Sequence, residues 1–277
     1  MKRQYVEANG LKFAYLEEGD GPLVLLVHGF PDTAHTWDQT RPQLAAAGFR
    51  AVSPWTRGYL PTEIPNEEAY DSDTLGTDLI ALIAALGHDD AVIVGHDWGA
   101  SAAFSAAGLA PDKLRQLITV AIPHPASIIP TPRTLWNVRH FLSLGRKNAA
   151  RWIRDGDLAH IDTLVRRWSP SWNAGPEETR EVKEAFEQPG CLEAALGYYR
   201  ALSPKLPQSQ RSKINVPAVA FAGTDDLMPP SAFDRAARRY TGSYEVVRMP
   251  GGHFMHREYP EHFNRELLRV LGTPGTA

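Results

Sequence analysis

Between residues 94 and 100 the chain reads Val94-Gly95-His96-Asp97-Trp98-Gly99-Ala100, and this stretch limits the available folds more than any other. It follows the apolar run Ala91-Val92-Ile93-Val94 and precedes a small-residue helical pattern, Ala100 to Ala110, that stops near Pro111. A strand that becomes a helix within so few residues must turn sharply, which holds the central Asp97 in a strained conformation and requires small neighbours so that the backbones do not collide. The helix that follows directs its free amides and the positive end of its dipole at whatever Asp97 approaches. Such a turn presupposes a strand buried on both faces, and hence a parallel sheet covered by helices.

The rest of the chain fits that requirement. Leu23-Val24-Leu25-Leu26-Val27 is a second buried run, and Phe49 to Ser53, Leu117 to Val120, Pro217 to Ala222 and Tyr244 to Met249 repeat it. Helical patterns lie between them: Thr77 to Leu86, closed by Gly87, then Ser231 to Tyr240, with Glu261 to Leu271 last. Val6 to Glu18 alternates about Asn9-Gly10, a dipeptide that accepts positive φ at both positions, so an antiparallel hairpin opens the fold. Residues 127–212 break the rhythm, being rich in helix formers, Arg and Trp without a buried-strand run. The expected organisation is an α/β core, residues 1–126 and 213–277, with a mostly parallel sheet and an inserted helical cap over 127–212. Ser203 to Gln210 reads as the exit linker of the cap, and residues 272–277 as a frayed tail.

A chain of 277 residues with 43% apolar content can build one large core with an insertion. Its 29 Lys and Arg against 32 Asp and Glu leave no basic field for a phosphate backbone or an anionic bilayer, so neither nucleic acid nor membrane is an expected partner. Cys191 is the only cysteine, which rules out an intrachain disulfide and a four-cysteine zinc site and suits a reducing cytoplasm. The basic N-terminus is followed by no apolar stretch, and no apolar run is long enough to span a bilayer; the expectation is a soluble, unprocessed cytoplasmic protein.

Serine commonly stands where Asp97 does and acylates at a carbonyl. A carboxylate is already ionised at neutral pH, needs no base for its first step, and can displace a leaving group from saturated carbon to give an alkyl ester. Hydrolysis of that ester then needs a base for water and donors for the oxyanion. Gly251-Gly252-His253-Phe254 follows the last strand and supplies His253 as base, while Gly223-Thr224-Asp225-Asp226 follows the preceding strand and supplies a carboxylate for the imidazole, Asp226 being preferred to Asp225. His28-Gly29-Phe30-Pro31-Asp32, after the first buried run, brings the Phe30 amide toward that of Trp98 as an oxyanion hole. The bland alternatives are a helix-capping role for Asp97 and a surface-loop role for His253; the order nucleophile, acid, histidine outweighs both. His28, His35, His96 and His256 are scattered, with no His-Glu-x-x-His run, and no metal is expected.

These motifs together resemble the epoxide hydrolases of the α/β-hydrolase fold across nearly the whole chain. His28-Gly29-Phe30-Pro31 is similar to that family's oxyanion loop, Gly95 to Ala100 to its nucleophile elbow, Arg57-Gly58-Tyr59 to its loop after the next strand, and Gly252-His253-Phe254 to its histidine loop. The resemblance implies opening of a small hydrophobic epoxide by water to a vicinal diol, through an ester on Asp97 hydrolysed by His253-activated water, with no cofactor or metal. It also implies two cap tyrosines on the epoxide oxygen, since a phenol can donate to a developing alkoxide. Tyr199, in Tyr198-Tyr199-Arg200, matches one of them, with Tyr198 the alternative if the helical phase is shifted. The place of the other reads Arg139-His140-Phe141, so either His140 is the second donor or Tyr199 acts alone. The rival activities are haloalkane dehalogenation from the same Asp-Trp elbow, with indole N–H groups on the halide, and a low-turnover ligand-binding homologue. A homodimer is compatible with this reading.

Overall fold

In the computed structural model, which describes residues 2–272, the opening hairpin forms as its turn dictates. Asn9 and Gly10 sit at φ 46° and 75° and place Ala8 opposite Leu11. This joins β1 (Gln4–Ala8) to β2 (Leu11–Glu18). The remaining strands are β3 (Leu23–Val27), β4 (Arg50–Pro54), β5 (Ala91–His96), β6 (Leu114–Val120), β7 (Ala218–Gly223) and β8 (Tyr244–Met249). They form one 8-stranded sheet in the order β1-β2-β4-β3-β5-β6-β7-β8. β2 pairs antiparallel with both β1 and β4, and every pairing from β4 to β8 is parallel.

β3, β5 and β7 are buried at every residue, which is why they read as unbroken apolar runs. Two apolar clusters, one on each face of the sheet, fill the core; Leu25, Ile93 and Phe104 belong to one and Val24, Val94 and Phe221 to the other. Period-2 alternation in β3 and β5 thus separates the two faces, although both are buried.

Element ends depart from the sequence expectation where polar residues carry them. β6 begins three residues before the expected Leu117, because Leu114 pairs with Ala91 across a register shift. The helix expected from Thr77 begins at Ser72, where Asp71 accepts the amides of Asp73 and Thr74 as its cap. The elbow helix runs Trp98–Leu109, starting two residues early. Pro230–Ala236 is helical and passes into a single tighter turn, Ala237–Arg239.

Between Val120 and Ala218 the described residues hold helices and no strand, the longest being Ala159–Trp168 and Cys191–Arg200. The stretch expected to be a linker is partly otherwise. Gln208–Arg211 is a turn of helix packed on the elbow helix, where Gln210 Nε2 donates to the carbonyl of Ser101 at 2.9 Å. A Cβ on Gly108 would lie 2.2 Å from the carbonyl oxygen of Ser209. Close backbone approach of this kind leaves no loose tether. Of the expected tail, residues 273–277 fall outside the described residues. No helix among the described residues is long and apolar enough to cross a membrane.

Candidate active site

Asp97 sits at φ 51° and ψ −118°, a backbone state that a non-glycine residue adopts only when its surroundings impose it. Three glycines make room for it. A Cβ on Gly95 would lie 2.4 Å from the carbonyl oxygen of Gly99, and one on Gly99 2.3 Å from that of Val27. On Gly29 it would strike Asp97 Oδ1 at 2.4 Å and the Trp98 amide nitrogen at 2.5 Å. The carboxylate and that amide therefore share one small space against the loop after β3. Into it the Phe30 N–H donates to Asp97 Oδ1 at 2.9 Å.

His28 fixes that loop. Its Nε2 accepts from the Thr56 amide at 3.0 Å, so the proton lies on Nδ1 and is donated to the carbonyl of Gly29 at 2.9 Å. Burial pushes the pKa of His28 down to about 4, so the neutral form and this tautomer persist at neutral pH.

His253 lies between two carboxylates, with Nε2 3.3 Å from Asp97 Oδ2 and Nδ1 3.1 Å from Asp226 Oδ1. The Asp226 side chain is fully buried and also accepts from the Leu227 amide at 2.5 Å, whereas Asp225 is exposed and accepts from Thr224. Asp226 is thus the residue on the imidazole. Burial disfavours the imidazolium, but the charges and hydrogen bonds of Asp226 and Asp97 outweigh it and raise His253 to about 10. Burial likewise opposes ionisation of Asp97, yet His253 and the Phe30 amide hold its pKa below the usual carboxylate value. Asp226 is raised by its burial, with His253 opposing. At rest the pair is an imidazolium against an Asp97 carboxylate.

The loop carrying His253 is tied to the helical insertion. The His253 amide donates to the carbonyl of Trp168 at 2.9 Å, and the Phe254 amide to Ser169 Oγ at 3.0 Å. A Cβ on Gly252 would fall 2.5 Å from Ser169 Cα, so glycine is needed there because the insertion packs on it. That Trp168 and Ser169 hold this loop was not legible in the sequence. They lie 85 positions from their partners, and no local motif announces such a contact.

Around the Trp98 side chain the packing is aromatic. Tyr199 is buried, packs edge-on against Trp98 and Phe30 with ring centroids 5.2 and 5.3 Å away, and its hydroxyl has no hydrogen-bond partner among the described residues. Burial first, and then the charge of Asp97, raise its pKa well above 10. Tyr198 is engaged elsewhere, since its hydroxyl donates to the carbonyl of Arg57 at 2.7 Å. The Arg57 guanidinium in turn grips Asp78 through Nε and an Nη, each at 2.7 Å. His140 is buried, its Nδ1 unpartnered, and burial pushes its pKa down to about 3, so it stands as neutral imidazole. A cavity of about 540 Å³ is lined by Asp97, Trp98, His140, Trp168, Tyr198 and His253 and otherwise largely by apolar side chains such as Ile128, Leu135 and Met228; Tyr199 packs against Trp98 without being among the lining residues.

A charged strand-to-helix elbow, a histidine flanked by carboxylates and a parallel sheet of this order define an α/β hydrolase. Residues 22–260 match the family described as alpha/beta hydrolase fold. An epoxide hydrolase of Caballeronia sordidicola is 40% identical over 315 residues, covering 99% of this chain and 94% of that protein. Epoxide hydrolase A of Mycobacterium tuberculosis is 29% identical over 310 residues, covering 96% of each. The crystal structure of an epoxide hydrolase from Vigna radiata superposes with a TM-score of 0.82 at 25% identity, covering 98% of this chain and 97% of that one. The chain belongs to the epoxide hydrolase family of the α/β-hydrolase fold.

Proposed function

We propose that the protein hydrolyses hydrophobic epoxides to vicinal diols through a covalent ester on Asp97. The observation that carries this is the division of labour on the Asp97 carboxylate, with Oδ1 held by the Phe30 amide and Oδ2 3.3 Å from His253. A carboxylate oxygen attacks an epoxide carbon, the C–O bond breaks, and the departing alkoxide takes a proton from Tyr199, whose hydroxyl is free to give it. His140, as a neutral imidazole on the cavity wall, supplies the second hydrogen bond to that oxygen. Esterification removes the Asp97 charge and with it one of the two influences that hold the proton on His253; that proton returns to the Tyr199 phenolate and leaves a neutral imidazole. The imidazole then takes a proton from water, the hydroxide adds to the ester carbonyl, and the amides of Phe30 and Trp98 receive the oxyanion. Collapse expels the alkoxide, which the His253 imidazolium protonates; the diol leaves, and the Asp97 carboxylic acid so formed gives its proton to His253, restoring the resting pair. Residues 127–212 act as the cap that supplies the donors and the apolar wall, over a core of 1–126 and 213–277.

A second reading rests on a specific observation. The indole nitrogens of Trp98 and Trp168 are both buried without partners among the described residues, and both residues line the cavity, so they are placed to hold a departing halide. The relatives favour the epoxide. An assay offering an aliphatic epoxide and a 1-haloalkane side by side decides between them, the expected result being diol formation without halide release. In parallel, His253→Gln is expected to trap the first half-reaction as a substrate-sized mass adduct on the peptide containing Asp97. Diol formation with no adduct in the trapped variant would remove the ester from the reading.

A further inference from the structure

Beneath the catalytic histidine lies a second cluster that the proposed reaction does not use. Asp32, His96 and His256 are all buried, at 4%, 0% and 2% exposure, and each offers one ligand atom within 4.8 Å of those of the other two. On both histidines one ring nitrogen is engaged and the other free. His96 Nε2 meets the carbonyl of His253 at 3.0 Å, and His256 Nε2 meets Thr36 Oγ1 at 2.7 Å, while both Nδ1 atoms lack partners among the described residues. A carbonyl can only accept, so His96 carries its proton on Nε2 and presents a bare lone pair at Nδ1. Two buried ring nitrogens near one carboxylate are thus without partners among the described residues, one of them, His96 Nδ1, a bare lone pair, and leaving such groups unsatisfied is costly.

We propose that Asp32, His96 and His256 form a binding site for a divalent transition-metal cation of the zinc type. The donor set, two imidazoles and a carboxylate, suits zinc, and an oxygen behind each ring, the carbonyl of His253 on His96 and the hydroxyl of Thr36 on His256, is the kind of partner that orients metal-bound histidines. Bonds of 2.0–2.2 Å at tetrahedral angles put ligand atoms about 3.3 Å apart, so from at most 4.8 Å the cluster needs only side-chain adjustment. Of the Asp32 carboxylate, Oδ1 accepts from the Thr33 amide at 2.9 Å, and Oδ2 is the oxygen left for an ion. Arg257 reaches Asp32 only at 3.4 Å and gives its shorter contacts, 2.6 and 2.7 Å, to Glu178. Access is through a cavity of about 200 Å³ lined by Asp32, Thr36 and His256, in which acidic side chains including Glu178 and Glu181 outnumber Arg180 and Arg257. Such a lining draws in cations. Because His96 precedes Asp97 and its Nε2 holds the carbonyl of His253, the ion would brace the nucleophile's strand end against the loop of the base.

The test is a titration of chelator-treated full-length protein with Zn²⁺ against a chromophoric chelator, repeated with Co²⁺ for its visible spectrum. The expected result is uptake of one equivalent and a tetrahedral Co²⁺ spectrum. His256→Gln and Asp32→Asn should lower affinity by at least about tenfold, and Thr36→Val, which removes only the hydroxyl behind His256, by roughly tenfold. Circular dichroism checks the fold of each variant, and should a buried-ligand variant fail to fold, Thr36→Val and the wild-type Co²⁺ spectrum still decide. No stoichiometric uptake, affinities unchanged across the folded variants, or an octahedral Co²⁺ spectrum would overturn the site.

Discussion

The two walls of the catalytic cavity are built on opposite plans. On the sheet side the charged groups are held by hydrogen bonds from rigid strand ends: both oxygens of Asp97, both nitrogens of His253 and Oδ1 of Asp226 are engaged, and among these groups only Asp226 Oδ2 lacks a partner. On the insertion side His140 and Trp168 line the cavity and Tyr199 packs against Trp98; their rings sit in aromatic contacts, and the Tyr199 hydroxyl, His140 Nδ1 and Trp168 Nε1 have no partners among the described residues. Under the proposed reaction the difference follows from the chemistry assigned to each side. Groups that are charged before substrate arrives must be compensated in the resting protein, because buried unpaired charge is prohibitively unfavourable. Neutral donors can wait in an apolar wall, and their free valence is what a developing alkoxide would find.

Substitutions on either wall put that contrast at risk. The largest effect is expected on the sheet side: Asp97→Ala should lower turnover by about 10⁴-fold or more, and appreciable diol production by this variant would mean that water attacks without an ester. Next, Asp226→Asn should lower kcat by roughly 10³-fold or more while Asp225→Asn changes it by less than about twofold, as steady-state rates on one epoxide would show. An equal loss in both would refute the assignment made from their exposure. On the insertion side Tyr199→Phe should slow alkylation by roughly 10²-fold in a single-turnover experiment, and a wild-type rate would move the donor role to His140. Across the seam, Ser169→Ala removes one buried hydrogen bond, worth about 1 kcal/mol, from the His253 loop. It should slow ester hydrolysis a fewfold while sparing alkylation.

The smallest effect is a slope. His253 is raised from 6.5 to about 10 in the folded chain, so its contribution to stability is complete below pH 6.5 and is lost as pH rises through about 10. Melting temperatures measured from pH 6.5 to 10 should therefore fall more steeply for the wild type than for His253→Gln. Parallel curves would show that the imidazolium is not held between its two carboxylates.

The sheet side was the more legible in the sequence, for the same reason that it is the more rigid. Its residues sit in local motifs at strand ends, where a glycine beside a functional residue records a backbone collision avoided, as at Gly95 and Gly99. The insertion left a weaker trace. Helical phase alone left Tyr198 and Tyr199 open, and their roles separate only because the Tyr198 hydroxyl finds the carbonyl of Arg57, 141 positions away. Gly252 was legible as a flexible position, but its reason, the backbone of Ser169, was not.

A parallel α/β sheet, an aspartate at a strained elbow and a histidine and acid in order behind it could all be read from the chain before it was folded. Those features are written in short-range periodicity and in residues whose backbone demands are local. Which aspartate meets the histidine, which tyrosine keeps a free hydroxyl, and that Trp168 and Ser169 hold the base loop emerged with the folded molecule. Each depends on contacts between segments far apart in the chain, which packing fixes and no local pattern encodes.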